Sequence, residues 1–234
     1  MDIALFSFDG ILFVLRWLHF FFGIVWIGHL YYFNFVQGPF FAETDAATKS
    51  GAIQKLVPRA LWWFRWGAMG TIITGLTYLA MEGHRSGPAI FATSWGVFIL
   101  TGMFLGILMW ANVWFVIWPA QQVVIASATQ VAKGGQPIAE AAARGARAGV
   151  ASRTNTLFSI PLLFFMGAAK HLPMVVGEGA HFCVLAIMLG VIILALELNA
   201  LKGKTGPMTT VKGVIHCGFG LTVVLYAAME FLTK

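Results

Sequence analysis

The chain has 234 residues, 59% of them apolar and only 10% charged, with a mean hydropathy of +0.82. Soluble domains carry about a quarter of their residues as Asp, Glu, Lys and Arg, so a soluble fold is excluded and an integral membrane protein expected. The formal charge of +6 sits between apolar runs rather than along one face, which sets nucleic acid aside as a partner.

Six apolar runs follow in chain order, at about 11–36, 60–81, 91–117, 157–169, 180–201 and 214–231. Continuous apolar runs of this kind are spans of helix; the strands of a membrane β-barrel would alternate. The expected fold is therefore all-α: one integral domain over residues 1–234, a polytopic bundle of about six transmembrane helices with amphipathic helices in its cytoplasmic connections. The fourth run is short, and reaches a normal length if Thr154, Asn155 and Thr156 enter the membrane against protein.

The first run carries two imidazoles, His19 and His29, ten residues apart. Gly38-Pro39 should end its helix, and residues 40–56 read as a segment lying on the surface, with Thr44 and Asp45 placed to cap a new helix. The second run opens on Trp62, Trp63, Arg65 and Trp66, the composition of an interfacial anchor. Gly102 and Gly106 in the third allow close approach of a neighbour, and Asn112, the one strong hydrogen-bonding side chain nearby, should face protein. The connection that follows is alanine-rich around Gly134-Gly135 and predicts two helices about a break. His171 and His181 flank a short connection. Glu197 lies near the end of the fifth run, where Lys202 or Arg65 could pair with it, and His216 near the start of the sixth.

Lys and Arg concentrate in the first, third and fifth connections, about 38–58, 120–153 and 202–212, which should be cytoplasmic. Both termini are then periplasmic, in the inner membrane of a bacterium, and the N-terminus, with Asp2 and Asp9, does not read as a cleaved signal peptide. Cys183 and Cys217 fall near opposite faces, too far apart for a disulfide. No CxxCH stretch exists, so covalently attached haem is excluded.

This topology sorts the histidines by depth. His19, His84, His171 and His181 belong to the outer half, and His29 and His216 to the inner. Imidazoles at matched height on facing helices, with glycine and aromatic neighbours, are the parts of a haem b site. His19, His29, His171, His181 and His216 are the candidate cofactor ligands, His19 and His216 foremost for haem iron, with one or two haems. Each ring could instead be a neutral imidazole bonded to a main-chain carbonyl. A copper site at His216-Cys217 is disfavoured because adjacent helical residues point about 100° apart, and His181/Cys183, two residues apart, is no better placed.

Three stretches carry a family resemblance. Arg16-Trp-Leu-His19 with Gly23-Ile-Val-Trp26-Ile-Gly28, then Asn112-Val-Trp114-Phe-Val-Ile-Trp118-Pro119, then Ser152-Arg153-Thr-Asn155 through Pro161 with His171, resemble the membrane portion of bacterial urate hydroxylases, the urate oxidase N-terminal domain family. The likeness runs over most of the chain. The first motif is also similar to spans of copper-resistance membrane proteins and of the membrane-type protoporphyrinogen oxidase.

The resemblance implies an inner-membrane oxidoreductase of purine catabolism that oxidises urate and passes electrons to cytochrome c. It implies roles for His19, Arg153, Asn155 and His171, with Arg153 and Asn155 holding an anionic purine. Family members commonly continue into a C-terminal cytochrome c domain; this sequence ends at Lys234, so a separate cytochrome c, or other membrane redox subunits in a homo- or hetero-oligomer, is the expected partner besides the lipid bilayer. Two other readings fit the same residues: an electron-relay or non-catalytic subunit of a respiratory or monooxygenase complex, and a small-solute or metal-ion transporter with histidine relays.

Overall fold

Seven helices make up almost all of the computed structural model, which describes residues 3–234; Met1 and Asp2, and with Asp2 part of the N-terminal reading, lie outside the described residues. We number them α1 (Phe8–Glu43), α2 (Ala46–Lys55), α3 (Val57–Ser86), α4 (Ser94–Ala132), α5 (Ala141–His171), α6 (Phe182–Lys202) and α7 (Val211–Leu232). No strand occurs among the described residues. Hydroxyl and carboxylate caps start several helices: Ser7 accepts from the Gly10 amide, Thr93 from Gly96, Thr210 from Gly213, and Asp45 from Ala47 and Thr48.

Four helices, α1, α4, α6 and α7, are long and apolar enough to cross a membrane. That is fewer than the six the apolar runs suggest. The runs at 60–81 and 157–169 belong to α3 and α5, of 30 and 31 residues, whose composition is diluted by polar groups, some buried, such as Thr71 and Thr74, and some exposed, such as Arg59 and Arg144. On α5, Thr154, Asn155, Thr156 and Ser159 are all fully buried, so the polar start of the short run does continue its helix.

The break expected at Gly38-Pro39 is absent. Gly38-Pro39, like Trp118-Pro119, lies within a continuous helix, because a wide π turn precedes each proline, at Tyr32–Gln37 and Asn112–Ile117. The Gly38 amide donates to Phe33 and the Trp118 amide to Val113, five residues back, and this longer register absorbs the donor that each proline lacks. α1 and α4 therefore run on past the apolar part by several turns. The helices expected on either side of Gly134-Gly135 are the end of α4 and the start of α5, with Gly134 at φ +84° in the turn.

α1 packs along α3, α4 along α5, and α7 against α5 and α6. In an apolar solvent such contacts are held by close packing and hydrogen bonds rather than by exclusion of water. At Gly67 a Cβ would come within 3.0 Å of the Trp26 amide nitrogen, and only glycine lets α3 approach α1 so closely there. α5 sits in the middle, with Phe158 and Phe165 wholly enclosed. We call the end where α1 begins proximal and the opposite end, which carries α2, distal. The proximal end is closed by the Gly177 and His181 amides donating to the Thr233 and Leu232 carbonyls, and by Arg85 bridging Asp9 and Glu82. Cys183 and Cys217 are free thiols.

Candidate functional site

The two π turns widen the bundle at its distal half, and a cavity of about 260 Å³ opens there among α1, α3, α4 and α5. Small residues on one face of α5, Gly145, Ala148, Gly149 and Ser152, leave the space; Phe33, Leu61, Phe64 and Ile117 form its apolar walls. Asn34, Gln37, Gln121, Ser152 and Arg153 supply the polar lining. The Asn34 amide donates to the Leu30 carbonyl at 2.9 Å and to Ser152 Oγ at 2.8 Å, which pins the π turn of α1 to α5. Two buried atoms of lining residues, Arg153 Nη1 and Gln37 Oε1, have no partner among the described residues. An unpaired donor and an unpaired acceptor on the lining residues of one small cavity are the complement of a ligand carrying both kinds of group.

Arg153 and Asn155, two residues apart in sequence, part company here. Arg153 lines the cavity, whereas Asn155 is wholly buried, donates to the Met109 carbonyl at 2.9 Å and accepts from Asn112 Nδ2 at 3.0 Å. Asn112 Nδ2 also donates to Glu197 Oε2 at 3.0 Å. Asn112 thus faces protein as its sequence context suggests, but Glu197 pairs with this amide and not with Lys202 or Arg65. Arg65 lies among indoles, with its guanidinium 4.0 Å from the ring centre of Trp118 and 5.0 Å from that of Trp114.

Among the histidines, His19 is held most firmly. Its Nδ1 lies 2.9 Å from the Thr71 carbonyl and 3.3 Å from Thr74 Oγ1, both on α3. The ring rests on Gly75, where a Cβ would come within 2.9 Å of it, so glycine makes room for the imidazole. His29 Nδ1 is bonded to Val25 of its own helix at 2.7 Å. Each bond leaves Nε2 as the atom open to another partner. His84, His171, His181 and His216 are exposed on the surface of the single chain. His216 lies on α7, which packs against α5 and α6, and His29 on α1, which packs against α3, so the inner pair is not brought together by the main helix contacts. No group of three or more His, Cys, Asp or Glu side chains converges among the described residues.

Gln37 and Gln121 carry no direct sign in the sequence, because a polar residue within two positions of a proline reads as the start of a connection. The available signal was the repetition of an Asn shortly before a Pro, at Asn34/Pro39 and Asn112/Pro119.

Among known protein families, the one described as urate oxidase N-terminal matches residues 86–227, more than half of the chain. No curated protein and no solved structure matches it.

Proposed function

Because this chain belongs to the urate oxidase N-terminal family, we propose that it is a membrane-integral oxidoreductase that takes electrons from urate and delivers them to cytochrome c or to a neighbouring redox subunit. The observation that carries the reading is the distal cavity, with Arg153 Nη1 and Gln37 Oε1 both unpaired. A urate anion presents carbonyl oxygens beside ring N–H groups. A guanidinium suits its delocalised charge and planar edge, and an amide oxygen suits an adjacent N–H. Arg153 is thus assigned to substrate binding, and Asn155 positions α5 through Asn112 rather than touching the ligand.

The proposed cofactor is haem b, which would supply a one-electron relay between substrate and acceptor. The chemistry of His19 would suit a residue that holds haem iron: Nδ1 is anchored on the Thr71 carbonyl, which fixes the ring and leaves Nε2 as the nitrogen that could bind metal. His29 has the same free nitrogen on a less rigid support. His171, His181 and His216 would need a partner chain or a second haem to complete a site.

The proposed topology counts α3 and α5 as spans, giving six. It places the basic distal end in the cytoplasm of a bacterium and both termini in the periplasm. The Arg153 cavity then opens on the side where a purine anion is made, and His19 lies towards the side of a periplasmic cytochrome.

Two measurements test the proposal. Urate added to the purified protein should reduce cytochrome c, and Arg153→Gln should require about tenfold to a hundredfold more urate for the same rate while retaining the fold. A protein that shows a haem spectrum but neither binds nor oxidises urate is the relay subunit instead.

A further inference from the structure

We infer that Glu197 is a proton-exchange site within the bundle, taking up and releasing a proton at Oε1 while Oε2 remains hydrogen-bonded to Asn112. The inference rests on a chain of bonds whose directions are fixed from one end. The Met109 carbonyl can only accept, so Asn155 must turn its Nδ2 to it, at 2.9 Å. Asn155 Oδ1 therefore faces Asn112, 3.0 Å away, and must accept in turn. Asn112 has to present its amide nitrogen, and the second hydrogen of that nitrogen reaches Glu197 Oε2 at 3.0 Å. Turning over either amide would set two acceptors, or two donors, against each other. Oε2 is consequently an acceptor whether the acid is charged or neutral, and the proton has one place to sit.

The surroundings offer no fixed cation in place of that proton. Glu197 is 8% exposed and forms no ion pair among the described residues. From α5, Arg147 comes nearest in register, but its Nη1 donates to the Ala200 and Gly203 carbonyls at 3.2 and 3.4 Å. α7 carries Lys212 and His216, both exposed, and α6 itself ends in an exposed Lys202. α4 contains no charged residue or histidine between Ser94 and Ala132. An acid so placed, bonded to a neutral amide alone, exchanges with the one small cation that can reach it. The step is protonation of a carboxylate to a carboxylic acid, with no electron transferred.

Glu197 lies on α6, which contributes no residue to the lining of the Arg153 cavity, so the inference does not depend on what that cavity holds. Infrared difference spectra of the purified full chain in lipid nanodiscs, taken between about pH 5 and pH 9, should contain the C=O stretch of a protonated carboxyl that shifts in deuterated water. Its amplitude should fall as the pH rises, and the band should vanish in Glu197→Gln, whose amide oxygen still accepts from Asn112. On the unaltered protein, a lipid-soluble carbodiimide should label Glu197, located by peptide mass, with a yield at least about tenfold higher at the acid end of that range. A spectrum without a Glu197 carboxyl at any pH, a band of constant amplitude, or labelling that ignores pH would each overturn the inference. Urate is absent from all of these measurements, so a failure here is distinct from a failure of the proposed activity.

Discussion

The two π turns use the same backbone device to opposite ends. Each widens a long helix just ahead of a proline, and each carries an asparagine that ties its helix to α5. At the turn of α1, Asn34 reaches Ser152 at the edge of a cavity, and buried polar atoms nearby on Gln37 and Arg153 stay unpaired. At the turn of α4, both Asn112 amide hydrogens are engaged, by Asn155 and Glu197, and the one buried side-chain atom of that turn left without a partner among the described residues is the Trp114 indole nitrogen, a donor with no acceptor beside it to make a complementary pair. A helix defect is therefore not in itself a site. What distinguishes the two is the residue facing them on α5: small side chains from Gly145 to Ser152 in one case, and Asn155 in the other.

The contrast is tested hardest by removing each asparagine in turn. Asn112→Leu strands Asn155 Oδ1 and leaves Glu197 Oε2 without a donor, both on buried residues. It should cost about 3 kcal/mol, which for this chain length lowers the midpoint of thermal unfolding in detergent by about 6–12 °C. Asn34→Leu removes bonds that cavity water can replace, and about 1 kcal/mol is expected. Equal losses in the two variants would mean that the cavity is as dry as the α4 turn, and the comparison would fail.

Ligand binding should show the reverse order. Arg153→Gln is expected to weaken urate binding by tenfold to a hundredfold, about 1.4–2.8 kcal/mol, with thermal stability nearly unchanged because the buried Nη1 has no partner to lose. Gln37→Leu should weaken it by a smaller factor, roughly tenfold, since a neutral hydrogen bond is at stake. Asn112→Leu, corrected for its loss of fold, should leave the affinity close to that of the parent. Calorimetric titration with urate separates these outcomes, and an Arg153 variant that binds as tightly as the parent removes the cavity from the proposal. His19→Ala, read in the visible spectrum, bears on the proximal half alone: the haem absorption should be lost while urate affinity persists.

Much of this was legible in the sequence because bilayer physics is severe. Long apolar runs, the protein-facing asparagine and the burial of Thr154, Asn155 and Thr156 all follow from the cost of a polar group in hydrocarbon. The structure carries α1 past the end expected at Gly38-Pro39, since a π turn depends on a neighbouring helix to receive its side chains and an Asn shortly before a Pro is its one local mark. For the same reason Arg153 and Asn155 read as a pair. Two residues on a helix are about 200° apart, so one met the cavity and the other the interior of the bundle. From the sequence Glu197 is either a buried acid or half of an ion pair, because sequence shows charges and not the amide that claims one of them.

The smallest effect expected concerns a feature that the α1 half has and the α4 half lacks. After its π turn α1 ends at Glu43, and α2 then packs against both α3 and the end of α4, beside the cavity. The start of α2 depends on Asp45, whose carboxylate accepts from the Ala47 and Thr48 amides and from the Thr48 hydroxyl. The Thr48 hydroxyl and amide, in that order, hold the Asp45 carboxyl below its ordinary range. The sign follows: a group whose pKa is lower in the folded chain contributes stability that is full above about pH 4 and disappears as the pH falls through the folded value. Asp45→Ala should therefore lower the unfolding temperature slightly at neutral pH, and the difference from the parent should close as the solution is acidified below about pH 4. If α2 also steadies the cavity wall, the same variant should loosen urate binding by no more than about twofold, because the cap touches none of the lining groups. A difference in unfolding temperature that persists at low pH would show that Asp45 acts through something other than its charge-assisted cap, and α2 would then hold its place by packing against α3 and α4 alone.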